Sequence, residues 1–186
     1  MAKVFVITGT PGVGKTYVSK AIAKKIKSCQ VINVNEIAKK EGYLQGKGPF
    51  GENIVNMRKL EKLLNALARR SKYTYVIMEG HLLADLKIKG AIAIVLREHL
   101  GLLKKRLKKR GYEKEKITEN IVAEATDYCG QHAEENYSQV FEFMSSKPST
   151  IADIIRLIKG KSVEEKRIEL LGELLSVMKS ENNFSM

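Results

Sequence analysis

Lys3-Val4-Phe5-Val6-Ile7-Thr8-Gly9-Thr10-Pro11-Gly12-Val13-Gly14-Lys15-Thr16 (KVFVITGTPGVGKT) is the stretch from which the rest of the chain is read. Lys3 to Thr8 is a short β-branched and aromatic run, the pattern of a buried strand. Gly9 to Thr16 fits G-x-x-x-x-G-K-[ST], and Lys15 to Lys27 continues with Val18, Ile22 and Ile26 at helical spacing. Each part of a strand, glycine turn and helix in that order suits a polyphosphate. Glycines let successive N–H groups converge on one anion. The helix that opens there adds its positive end. Lys15 offers a compact cation to β- and γ-phosphates, and the Thr16 hydroxyl is placed to ligate Mg²⁺. A glycine-rich turn without a ligand is the bland alternative. The fixed positions together with the strand–helix context favour phosphate, so the sequence predicts a P-loop nucleotide-binding protein.

Outward from this motif, strands and helices alternate. Val31 to Val34 reads as a second strand, with Asn35 as a candidate cap for a short helix holding Ile37 and Ala38. Gly42 to Asn53 (GYLQGKGPFGEN) reads as a mobile loop. Met57 to Arg70 is helical by its Leu60, Leu63, Leu64 and Leu67 stripe. Tyr73 to Met78 and Ala91 to Leu96 are apolar runs, as expected of strands covered on both faces of a parallel sheet. His99 to Arg110 reads as a basic helix stopped by Gly111, and Glu113 to Glu135 as another helix. Val140 to Met144 reads as a fifth strand, and residues 148–180 as C-terminal helices beginning near Pro148 and Ser162. This alternation predicts a three-layer α/β fold in a single domain spanning residues 1–186.

Composition sets the outer limits. The 186 residues carry 33 Lys+Arg against 21 Asp+Glu, a formal net charge of +12. With 44% hydrophobic residues the chain can bury a real core. Its longest apolar run, Ala91 to Leu96, is far short of the roughly 20 residues that cross a bilayer. No signal segment is expected, and two cysteines without metal spacing suit a reducing, cytoplasmic setting. The positive charge fits either a polyanionic partner or lysine-rich solvated helix faces. Lys104 to Arg110 gathers six cations in seven positions.

The second half of the candidate site belongs at the carboxyl end of a neighbouring strand. Glu79 follows Tyr75-Val76-Ile77-Met78, the pattern of a Walker B acid that holds Mg²⁺ through water or orients an attacking water. A helix-capping glutamate is the alternative. His81, two residues on, would face the same crevice if the chain stays extended. It is either a proton shuttle of near-neutral pKa or a hydrogen-bonded surface histidine. Arg97, Arg106 and Arg110 are candidate cations for the transferring phosphoryl group. Lys109 to about Glu119 is the candidate lid. Cys29 and Cys129 read as inert packing thiols.

GTPGVGKT at Gly9 to Thr16, Glu79-Gly80-His81, Val95-Leu96-Arg97, Arg106-Leu107, Arg110-Gly111-Tyr112, Lys116-Ile117 and Glu119-Asn120-Ile121 together resemble the adenylate kinase isoenzyme 6 family. The resemblance runs in order from Lys3 to Pro148. It implies a nucleoside-monophosphate kinase fold with a five-stranded parallel sheet, an NMP-binding segment over residues 33–56 and a short lid over 109–119. It implies ATP held by Gly12, Gly14, Lys15, Thr16 and Tyr17, with Arg110 reaching the phosphates and Lys147 at the adenine. Glu79 falls where the family usually has an aspartate, and His81 falls on its Walker B-region histidine. The resemblance further implies adenylate kinase and ATPase activities, a small-subunit platform ribosomal protein and pre-rRNA as partners, and a part in rRNA maturation. Two departures stand out. Tyr17 replaces a small hydroxyl residue, and Lys39-Lys40 stands where an arginine would grip an AMP phosphate by two contacts. Kinases of other small acceptors or of polynucleotide 5′ ends share the phosphate loop and form a third class.

Overall fold

The computed structural model describes residues 2–48, 53–164 and 167–182. In chain order the elements are β1 (Lys3–Thr8), α1 (Lys15–Lys25), β2 (Cys29–Asn33), α2 (Val34–Lys40), β3 (Leu44–Lys47), β4 (Asn53–Val55), α3 (Met57–Arg70) and β5 (Tyr75–Glu79). A 3₁₀ turn (His81–Asp85) leads to β6 (Ile92–Arg97), α4 (Leu100–Lys109), α5 (Lys114–Ala125), α6 (Tyr128–Asn136), β7 (Val140–Met144), α7 (Thr150–Ile158) and α8 (Leu171–Asn182).

Five strands form a parallel sheet in the order β2-β5-β1-β6-β7. Alternation along β1 explains the layers. Val4 and Val6 face a core shared with Leu60 and Leu64 of α3 and Ala133 of α6. Phe5 and Ile7 face the opposite core, with Ile22 of α1, Leu103 and Leu107 of α4, Ile121 of α5 and Ile154 of α7. A strand buried on both sides needs apolar residues at both parities, which is why β1, β5 and β6 read as continuous runs. Each fully buried Leu or Ile adds about 1.5–3 kcal/mol. The three-layer P-loop fold expected from the sequence is therefore present. Registers pairing Ile7 with Glu79 and Thr8 with Val95 bring the carboxyl ends of β5 and β6 to either side of the loop that leaves β1.

Four local expectations are corrected. Asn33, not Asn35, caps α2: its side chain accepts from Glu36 N at 2.9 Å, so the helix starts as soon as β2 ends. Within Gly42 to Asn53, β3 and β4 pair as an antiparallel ribbon with an irregularity between Leu44 and Gly46. Tyr43 ties that ribbon's base to α2, its N–H donating to Ala38 O. Residues 49–52 of that segment lie outside the described residues. The helix expected over Glu113 to Glu135 is two helices, because Asp127 turns left-handed at φ 56°. Finally, residues 162–164 are irregular and the last helix starts at Leu171; Glu165 lies outside the described residues. Among the described residues no helix is long and apolar enough to cross a membrane.

Candidate active site

The glycine loop lies between β1 and α1 under tight constraint. Gly9 takes φ +134°, and a Cβ there would run into the Leu96 carbonyl oxygen at the end of β6. Gly12 takes φ +100°, with a Cβ position 2.8 Å from Leu103 Cδ1 of α4. Glycine is demanded twice over, by backbone conformation and by the close approach of β6 and α4. Gly14 begins α1 in a left-handed conformation, and its Cβ position would be 2.9 Å from Ser145 Oγ. The β7–α7 connection, which carries Lys147, thus reaches the loop.

Lys15 turns its ammonium inward, donating to Gly9 O at 2.6 Å and Thr10 O at 3.0 Å. Burial pushes its pKa down to about 8; the carboxylates of Glu79 and Glu124 oppose that fall, and the Arg110 charge adds to it. Arg110 is exposed at the end of α4, yet its field reaches Lys15. Thr16 Oγ1 donates to Glu79 Oε1 at 2.9 Å, and Asn33 Nδ2 donates to the same oxygen at 2.6 Å. Thr16 is exposed, whereas Glu79 retains only 3% of its surface. Tyr17 is 72% exposed at the start of α1.

His81 does not follow Glu79 in an extended chain. It starts the 3₁₀ turn His81–Asp85, while its carbonyl accepts from Thr8 Oγ1 at 3.2 Å. Burial, reinforced by the Lys15 charge, pushes its pKa down to about 4. The near-neutral shuttle expected from the sequence is corrected accordingly: at pH 7 the ring is neutral and offers a basic nitrogen but no stored proton. Cys129 is buried and its thiol is pushed up to about 11, chiefly by burial, which keeps it protonated; burial also raises Cys29.

Arg97 is the plainest correction among the candidate cations. It is 1% exposed, pairs with Glu124, Asp127 and Glu142, and donates through its second terminal nitrogen to Glu124 O at 2.6 Å. Four of its five N–H donors are engaged inside the protein, and a head this deeply buried is not placed to meet a phosphate. Arg106 is half-turned inward, its terminal nitrogen reaching Val13 O at 3.2 Å, Gly12 O at 3.4 Å and Glu98 Oε2 at 2.9 Å. Among the three arginines, Arg110 presents its head to solvent. Lys147 is also exposed and lines a groove of about 770 Å³ with Glu142, Asp153 and Arg156.

Three site residues escaped the sequence reading. Asn33 reads from the sequence only as part of the second strand, with the cap expected at Asn35. Glu98 follows a strand with nothing to mark it. Glu124 carried a usable signal, since Ile117, Ile121 and Glu124 share one helix face and a carboxylate on an apolar face needs partners. Among the described residues no group of three or more His, Cys, Asp or Glu side chains forms a metal centre. Thr16 Oγ1 and Glu79 Oε1 are nevertheless adjacent hard oxygen donors, which fits Mg²⁺ held partly by water.

A family model described as an AAA domain matches residues 6–127. A protein of Methanosarcina acetivorans named "Putative adenylate kinase" is 36% identical over 175 residues, covering 89% of this chain and 92% of that one. A protein of the same name from Thermococcus kodakarensis is 34% identical, covering 84% and 85%. This chain belongs to the adenylate kinase-like P-loop family. Shikimate kinase from Acinetobacter baumannii, in complex with shikimate, superimposes with a TM-score of 0.60 at 17% identity, covering 88% of this chain and 97% of that one. The Bacteroides thetaiotaomicron shikimate kinase gives 0.58 at 16%, covering 85% and 96%. At such identity the likeness concerns the fold alone. It agrees with the three-layer sheet of this adenylate kinase-like chain.

Proposed function

We propose that this chain is a Mg²⁺-dependent adenylate kinase: the γ-phosphoryl bond of ATP breaks, a bond to an AMP phosphate oxygen forms, and two ADP result. Water is a competing acceptor, giving an ATPase side activity. The observation that carries the reading is the grouping of Lys15, Thr16 and Glu79 at the mouth of the glycine loop. Lys15 would exchange the Gly9 and Thr10 carbonyls for phosphate oxygens. Thr16, and Glu79 through water, would hold Mg²⁺, which when bound neutralises charge on the β- and γ-phosphates. Asn33 orients Glu79. Neutral His81 would accept a hydrogen bond from an attacking water. Arg110 would close from the lid over residues 109–119, and Lys147 would border the adenine. Gly12, Gly14 and Tyr17 complete the ATP-binding set, while residues 33–56 would receive AMP. Coupled detection of ADP tests the reading directly. The expected result is a large gain in ADP yield when AMP is added to ATP; an unchanged yield overturns the kinase assignment and leaves the ATPase.

A second role has its own observation: the net charge of +12, with Lys105, Lys108 and Lys109 exposed along α4. These features support binding to pre-rRNA and a small-subunit platform ribosomal protein, as the isoenzyme 6 resemblance implies. RNA binding that weakens steeply with salt is expected, and a flat salt dependence argues against it.

A further inference from the structure

Arg97 ends β6 and Glu98 follows it; the two are neighbours of opposite charge, and a relay runs from each to the glycine loop. Arg97 Nε donates to Glu124 Oε1 at 3.1 Å, and the other oxygen of that carboxylate accepts from Thr10 Oγ1 at 2.5 Å. Glu98 N donates to the same Glu124 oxygen at 2.9 Å, so Glu124 is held on three sides. On the other limb, Glu98 is fully buried and its Oε2 faces the Arg106 guanidinium at 2.9 Å. That oxygen has no aligned hydrogen bond, so the contact is coulombic rather than directional. Arg106 in turn reaches the outward carbonyls of Gly12 and Val13. The signs alternate: plus, minus, hydroxyl on one side; minus, plus, carbonyl on the other.

A phosphate loop works only if its N–H groups stay aimed at the anion, so its carbonyls must point outward and be held there. We propose that Glu124 and Arg106, anchored by Arg97 and Glu98, are positioning residues that clamp the two limbs of the glycine loop in its phosphate-receiving curvature. Neither relay includes a group that must touch the nucleotide. Thr10 offers its side chain to Glu124 while its carbonyl receives Lys15, so the relay also fixes the acceptor from which the lysine departs. The clamp rests on the nucleotide-kinase reading for its purpose, but its mechanical part does not.

The test compares Thr10→Val, Thr10→Ser and Glu98→Gln with the wild-type protein. With ADP in calorimetry, Thr10→Val and Glu98→Gln should each weaken binding about tenfold, and Thr10→Ser should stay within about twofold. In turnover assays the loss should lie in KM for ATP with kcat nearly unchanged. Because the relays hold separate limbs, the double variant should lose about a hundredfold, the product of the two. Without nucleotide, hydrogen exchange at Gly12 to Lys15 should speed up about tenfold in Thr10→Val. ADP affinity and loop exchange both unchanged in Thr10→Val overturns the clamp, even if Glu98→Gln fails to fold. Absence of ADP binding by the wild-type protein would instead overturn the nucleotide reading, and the exchange result would still decide the clamp.

Discussion

The ends of β5 and β6 sit at equivalent places, one on each side of β1 and both against the glycine loop, yet they have opposite characters. β5 ends in Glu79, whose carboxylate meets the exposed Thr16 hydroxyl and so borders the mouth of the loop. β6 ends in Arg97, followed at once by Glu98, at 1% and 0% exposure, closed over by α5 and by the turn at Asp127. One edge is open for chemistry; the other is sealed for support. What separates them is coverage, because a charge under a helix must be paired inside the protein before it can act on anything else.

The largest expected effect falls on the sealed edge. Arg97→Met would leave Glu124, Asp127 and Glu142 facing one another without their shared cation. Breaking a buried ion pair from one side costs about 3–5 kcal/mol. Urea unfolding should show that loss as a lower midpoint with an unchanged slope. A loss below about 1 kcal/mol would mean that the three carboxylates do not depend on Arg97, and the contrast between the edges would fail.

On the open edge the matching substitution should spare the fold and remove the activity. Lys15→Met is expected to reduce ATP turnover about 10²–10³-fold, the range for deleting one preorganised stabiliser of developing charge. Stability should hold or rise, because a buried ammonium with a depressed pKa is a cost to the folded state. Single-turnover assays and thermal melts together check both halves. A large drop in melting temperature would show that Lys15 is part of the support.

The same contrast explains what the sequence could tell. β1, the glycine loop and α1 were legible because periodicity, glycine spacing and the Lys-Thr pair lie within consecutive residues. Glu79 was legible because an apolar strand ending in an acid is a local pattern. Arg97 was misread since its partners lie 27, 30 and 45 positions away, and no local pattern says that they converge on it. The break at Asp127 was hidden for a similar reason. The carboxylate at that left-handed turn pairs at long range with Arg97 and Arg167, and Gly130, where a Cβ would collide with it, leaves it room.

His81 sharpens the comparison at a smaller scale, because it stands on the open edge and is still largely desolvated. Its pKa is about 4 in the folded protein, against the ordinary 6.5 when unfolded. Between those values the unfolded chain binds more protons, so stability should rise as pH climbs from about 4 to 6.5 and fall on acidification. The full difference is on the order of 3 kcal/mol at 1.36 kcal/mol per pKa unit. In His81→Gln that part of the pH slope should disappear while the rest of the profile remains. An unchanged slope would show that the ring is solvated in the free protein.

The smallest effect concerns α8, which reaches the sealed side from outside. Helix α4 begins at His99 without a side-chain cap of its own, so its first N–H groups need a partner. Glu173 of α8 supplies one, its carboxylate accepting from Leu100 N at 2.9 Å and meeting His99 Nδ1 at 2.6 Å. An anion at a helix N-terminus is favourable, and replacing a capping acceptor by alanine costs about 1 kcal/mol. Lys104 Nζ also donates to Val177 O, so α8 keeps a second attachment when Glu173 is removed. Glu173→Ala should therefore loosen α8 without unfolding the domain, and trypsin cleavage after Lys179 should speed up about fivefold, the factor equivalent to 1 kcal/mol. Glu173→Gln, which keeps an acceptor and loses the charge, should fall between the two. If both variants cleave at the wild-type rate, the packing of Leu174 and Val177 and the Lys104 hydrogen bond suffice to hold the helix, and the cap serves α4 rather than the docking of α8.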